Sequence, residues 1–216
     1  MFQEFTNYFS NSACELIDRY KGQTAVFIAD RGYENYNIFA HAEQKGMYYL
    51  IRAKDITSTG IVSKLTMLPE VDEFDEWANV TLTKKQTNEV KANPQKYRII
   101  MKNTPFDYLD LHFNKFYEMK MRVVRYPISQ DSYECIITNL PQELFGIAEI
   151  KELYAKRWGI ETSFRELKYA IGLTRFHAKK PAYILQEIWS RMTLYNFCEI
   201  ITTNVAVKTK DVCKHV

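Results

Sequence analysis

Four polar residues near the end of the chain, Tyr154, Arg157, Glu161 and Lys168, are spaced to share one side of a helix. At about 100° per residue they fall within an arc of about 60°. Their types suit the binding of oxyanions: Arg offers a bidentate fork, Lys a point charge and Tyr a single hydroxyl donor, while Glu161 adds a carboxylate. Leu153, Ile160, Phe164, Leu167 and Ile171 project from the neighbouring arc, so the polar stripe borders an apolar face that reads as buried. The plain alternative is that Arg157 and Glu161, four positions apart, pair on a solvated helix, although Arg before Glu is the weaker order of such a pair.

A second constellation lies far upstream. Thr24 to Ala29 is an apolar, β-rich run that ends in Asp30-Arg31-Gly32-Tyr33, and it reads as a buried strand delivering a carboxylate. Asp30 can equally open a turn with Gly32. Arg31, Arg52 and Lys54 follow the ends of two strands, where they reach DNA or stand as solvated loop residues. Trp158 has the π-face to stack on a base, and Phe164 reads as core. His41, His112, His177 and His215 lack ligand-like spacing. Cys14, Cys135, Cys198 and Cys213 lack the paired spacing of a zinc or redox motif, and read as reduced, intracellular thiols.

The run Tyr-x2-Arg-x3-Glu-x6-Lys, its flanking Trp158, Ile160, Phe164 and Leu167, and the strand followed by Asp-Arg-Gly-Tyr together resemble the bacterial insertion-sequence transposases of the DDE type. The likeness is to the insertion-sequence-four family, with its Tyr-Arg-Glu-Lys signature, and it runs from about residue 13 to about residue 202. It implies an α/β, RNase H-like transposase core with a β-strand-rich insertion. It makes Asp30 and Glu161 the second and third of three catalytic carboxylates, holding Mg²⁺ or Mn²⁺, two ions in a complete site. Tyr154, Arg157 and Lys168 would bind phosphates near the scissile bond, with Arg31 and Trp158 as further DNA contacts. The implied reaction is an in-line displacement at phosphorus that needs hard oxygen ligands and no nucleophilic side chain. No strand ending in Asp-Gly precedes Thr24, and neither Asp18 nor Asp55 matches the family's first Asp. The expectation is therefore an N-terminally truncated, inactive copy with an incomplete core, a homodimer when complete. The competing reading is a non-catalytic DNA-binding protein or transposition inhibitor derived from a transposase.

The elements that must position these residues follow from pattern. A short helix is expected from Ser12 to Tyr20, a strand ending at Asp30, a helix over Tyr36–Lys45 stopped by Gly46, and a strand over Met47–Ile51. A strand-helix-strand order of this kind predicts a parallel pair. Segments 80–83, 97–101, 121–126 and 133–138 read as further strands, with Asn93-Pro94 and Tyr126-Pro127 as punctuation. One helix over Ile147–Ile171 and another over Tyr183–Thr203 finish the chain. The expected organisation is a partial core over 1–52, an insertion over 53–145 and core-completing helices over 146–216.

The formal charge of +3 over 216 residues does not by itself require an anionic partner. Its distribution is more telling, because residues 151–191 hold nine Lys/Arg against four Glu, whereas Glu70 to Glu76 holds five acids and no base. No apolar run approaches a membrane span and the first residues do not form a signal peptide, so a cytoplasmic location is expected.

Overall fold

The structure is a computed structural model that describes residues 2–110, 113–169 and 171–204, with side chains from residue 10 onward except Thr203. The chain divides into two compact units, Met1–Arg157 and Trp158–Val216.

The first unit is built on one six-stranded mixed sheet. Its strands are β1 (Val26–Ala29), β2 (Tyr48–Ala53), β3 (Phe74–Thr83), β4 (Tyr97–Ile99), β5 (Tyr117–Ser129) and β6 (Ser132–Thr138), in the order β1-β2-β6-β5-β3-β4. β1 and β2 are parallel as expected, with Val26 opposite Tyr48 and Ala29 opposite Ile51. The strands of the 53–145 segment are not a separate sheet. β6 pairs antiparallel with β2, Ile51 opposite Ile137, so the sheet runs continuously through position 52.

Alternation along the strands sends side chains to two faces. On one face Tyr49, Ile51, Ile137, Met121 and Val123 pack beneath two helices, α1 (Phe2–Arg19) and α2 (Tyr36–Gln44). Ile17, Ile38 and Phe39 are completely or almost completely buried there, each stabilising the fold by roughly 1.5–3 kcal/mol. On the other face Leu50, Val124, Ile136 and Leu140 meet Ile150 and Tyr154 of α4 (Ile147–Ala155). A short helix, α3 (Asn88–Ala92), precedes β4.

The crossover helix α2 starts and stops for local reasons. Asn35 caps it by accepting the Asn37 N–H at 2.8 Å, and Gly46 takes φ 68°, a left-handed turn suited to glycine. Its docking is fixed by His41, whose Nδ1 lies 2.8 Å from Asp18 of α1 and whose Nε2 lies 2.9 Å from Asp107.

Three expectations are corrected. α1 begins at Phe2 and not at Ser12, because the apolar spacing of Phe5, Phe9, Ala13 and Ile17 carries helical periodicity upstream of that candidate cap. Pro127 continues β5 and does not end it. It faces Tyr133 next to a register shift close to the hairpin end, where a missing N–H costs the ladder little. The helix expected over Ile147–Ile171 is two, α4 and α5 (Trp158–Tyr169), separated by a turn at Lys156–Arg157. The Lys156 and Arg157 N–H groups bond to Leu153 and Tyr154 carbonyls, tightening the last turn of α4. Gly159 just beyond is a poor helix propagator.

The second unit holds α5 and α6 (Pro181–Asn204), with Pro181 at the first helical position, where its missing N–H is harmless. No helix among the described residues is long and apolar enough to cross a membrane.

Candidate active site

Asp30 follows the last residue of β1 and is exposed. Its Oδ1 accepts the Gly32 N–H at 2.9 Å and caps a single 3-10 turn, Arg31–Tyr33. The turn-opening role and the delivery of a carboxylate to a strand end are thus both present in one residue. Glycine at 32 permits this closeness, since a Cβ there would stand 3.1 Å from Asp30 Oδ1.

Tyr154 lies in the last turn of α4 and Arg157 in the turn that follows it, in the same unit. The Arg157 guanidinium lies 5.7 Å from the Tyr154 ring centre. Tyr154 is only 4% exposed, and its hydroxyl is buried without a hydrogen-bond partner. Burial pushes the Tyr154 phenol above its ordinary range, Arg157 and Arg52 act to lower it, and Glu134 and Asp30 to raise it. These charges therefore share one electrostatic neighbourhood with the tyrosine. Within it, Arg52 Nε lies 2.9 Å from Glu134 Oε1, and the Tyr126 hydroxyl donates to Glu134 Oε2 at 3.1 Å. A buried hydroxyl with no internal partner costs stability.

Glu134 is a member of this neighbourhood that the sequence reading missed. Its signal was there in the cross-strand register, which sets Tyr126 opposite Glu134, but that register becomes visible only once the hairpin is aligned.

Trp158, Glu161 and Lys168 belong to the second unit, all on α5 and all exposed. The stripe of four residues on one continuous helix is therefore corrected: Glu161 and Lys168 share α5, while Tyr154 and Arg157 belong to α4 and the turn after it. Phe164 is not core but 57% exposed, because α5 buries none of its residues. Trp158 is 60% exposed.

Asp18 and Asp55 each have a cationic or histidine partner within the first unit. Asp18 holds His41. Asp55 makes a two-pronged contact with Arg125, at 2.7 and 3.1 Å, and this guanidinium draws its carboxyl below the usual range.

The family model described as "Transposase DDE domain" matches residues 9–197. The chain belongs to that family. Within the matched span lie both the Asp30 turn and the α4–α5 segment. The transposase InsG for insertion sequence element IS4, from Escherichia coli (strain K12), is 37% identical over 54 residues, which is 24% of this chain and 12% of that protein. The DDE domain accounts for the mixed α/β architecture, and transposases of this kind bind DNA and use divalent metals. Asp30 and Glu161 are hard oxygen donors of the type Mg²⁺ accepts, but the described residues contain no group of three or more His, Cys, Asp or Glu side chains able to hold a metal ion.

Proposed function

We propose that this chain is the DNA-engaging part of an insertion-sequence transposase of the insertion-sequence-four kind, with Tyr154, Arg157, Glu161 and Lys168 as its signature residues. The observation that carries the reading is the orphaned Tyr154 hydroxyl. It sits beside Arg157 and within the field of Asp30, in a chain matched by the DDE family from residue 9 to residue 197. Arg157 and Tyr154 engage a backbone phosphate, Arg31 and Lys168 add charge, and Trp158 stacks on a base. Asp30 and Glu161 are the second and third carboxylates of the family's cut-and-paste chemistry, on an RNase H-like core with 53–145 as its insertion. Assembly as a homodimer is part of this reading.

The reaction of the family is metal-dependent phosphoryl transfer, in which metals activate the attacking oxygen and stabilise the leaving one. Asp18 and Asp55 are engaged by His41 and Arg125 and neither is offered as a further metal ligand, so the reading is of a chain that binds DNA without cutting it. That favours the second reading as well, a DNA-binding protein derived from a transposase. Labelled duplex DNA titrated with the chain should show binding by anisotropy, and no cleavage or joining with Mg²⁺ or Mn²⁺. Glu161-dependent cleavage by this chain would overturn the inactivity. Absence of DNA binding would overturn the whole reading.

A further inference from the structure

Next to the turn capped by Asp30 lies a half-open cavity of about 440 Å³, a size within the range of roughly 300–1,000 Å³ typical of small-ligand sites. Four cations from four different segments line it: Arg31 after β1, Lys54 after β2, Lys64 from the 3-10 turn Val62–Lys64, and Arg98 of β4. Among the described residues none of the four is in an ion pair. Glu34 is the single carboxylate in the lining, and its oxygens already accept the Lys54 and Ile61 backbone N–H groups at 2.9 and 2.6 Å. Four cations around one carboxylate leave the lining with an excess of positive charge, which is unfavourable by itself and suited to an anion.

The floor of the cavity points the same way. Arg98 is held by a hydrogen bond from Nη2 to the Lys64 carbonyl, and its Nε is buried without a partner. The Tyr36 hydroxyl is buried beside it without a well-formed hydrogen bond. Two donors therefore remain unspent at the bottom of a basic cavity. Ile61 and Met101 give one wall an apolar surface. Glycine at 60 keeps the rim open, as a Cβ there would come within 2.8 Å of Glu34 Oε1 and 2.9 Å of Lys54 Cβ.

We propose that this cavity is a nucleotide subsite for a DNA strand, taking a phosphodiester on Lys54, Lys64 and Arg98 and the attached base against Ile61 and Met101. The inference rests on the DNA-binding reading above. It adds a point of contact outside the Tyr154–Arg157 surface and beyond the candidate carboxylate, starting one residue from Asp30. Phosphate contacts of this kind position a strand without reading its sequence.

The test uses the full chain and a fluorescein-labelled single-stranded 20-mer, with affinity measured over a series of NaCl concentrations. Lys54→Gln and Lys64→Gln, both at exposed positions, should each weaken binding about five- to tenfold and reduce the salt slope by about 0.7, the share of one single-strand phosphate. Unfolding midpoints of the variants check that they remain folded. An oligonucleotide carrying 5-iododeoxyuridine should photo-crosslink to the peptide holding Tyr36 or Met101, a readout that needs no variant. If both Lys variants keep the wild-type slope while Lys168→Gln lowers it, and crosslinks avoid Tyr36 and Met101, the subsite is overturned and the DNA-binding reading stands. If the chain binds no oligonucleotide under any condition, both fall. Binding of free deoxythymidine monophosphate that raises the unfolding midpoint only in wild type, with unchanged oligonucleotide slopes, would reassign the cavity to free nucleotides and overturn the DNA subsite.

Discussion

At the scale of single residues, Tyr154 separates function from stability. Its hydroxyl is buried and unpartnered, so deleting it removes a desolvated polar group at little loss of packing. Tyr154→Phe should leave the urea midpoint unchanged or raise stability by up to about 1 kcal/mol, while weakening DNA binding. A loss of stability greater than that would make the hydroxyl a structural group. His41 offers a contrasting case. Burial alone lowers the imidazole pKa, but hydrogen bonds to Asp18 and Asp107 and their charges outweigh it and raise it. Burial alone likewise raises Asp107, yet the hydrogen bonds from Asn37 and His41 and the His41 charge bring it below its ordinary value. The raised histidine contributes stability that is complete below the ordinary imidazole value of 6.5 and is lost as pH rises through its folded pKa. The lowered aspartate contributes above the ordinary value of 3.8 and loses its share as pH falls. The α1–α2 clamp is therefore firmest between those two values. In unfolding midpoints followed from pH 5 to pH 9, His41→Gln should flatten the decline on the alkaline side. An identical decline in the variant would mean that other groups titrate.

At the scale of elements, the segment that carries Tyr154 is anchored by one buried charge. Arg122 of β5 is fully buried and grips Asp75 of β3 at 2.6 and 2.5 Å. It also donates to the carbonyls of Leu140 and Phe145, at 3.2 and 2.6 Å, in the loop that leads into α4. Removing the guanidinium leaves a carboxylate and two carbonyls without their donor. Arg122→Ala should cost about 3–5 kcal/mol in denaturant unfolding, and should disturb DNA binding because the approach to α4 loosens. A cost below about 1 kcal/mol would show that solvent replaces the guanidinium. Much of this architecture was legible beforehand. Alternating or continuous apolar residues mark the last four residues of β3, the middle of β5 and nearly all of β6, and Gly46 marks the end of α2. The break at Lys156–Arg157 was not legible, since Leu153, Ile160, Phe164 and Leu167 keep helical spacing straight through it and Gly159 was the only hint. Asp30 could be picked out because a strand pattern led into it. Arg122, Glu134 and Lys64 could not, because their partners lie 47 positions away, across a hairpin and on a different loop.

At the scale of the whole molecule, the core is one-sided. Every buried hydrophobic residue in the described chain lies at or before Tyr154. The second unit exposes Trp189, Leu194, Phe197 and Ile200 instead. The first unit thus holds both hydrophobic clusters and has the interior needed to fold by itself. A fragment of residues 1–157 should unfold cooperatively, with a thermal midpoint within a few degrees of the full chain, about the shift that 1 kcal/mol produces. A non-cooperative melt would show that the helices after Arg157 contribute to that core. In the intact chain the apolar side chains of α6 make up the kind of surface that drives association.

The strand that carries Asp30 has a property of its own. Among the described residues β1 is four residues long and stands at the edge of the sheet, hydrogen-bonded to β2 alone. In the proposed role a reacting carboxylate must be held to within about 0.5 Å, yet Asp30 follows a short strand with one neighbour among the described residues, so local opening there is cheap compared with the sheet centre. Hydrogen exchange should be faster at residues 26–29 than at the central residues 135–137 of β6. In a transposase that cuts DNA in the proposed way, any segment that pairs with the open side of β1 would then act on the chemistry as a matter of timing. It would touch neither Asp30 nor the DNA, but would lengthen the fraction of time the carboxylate spends in register.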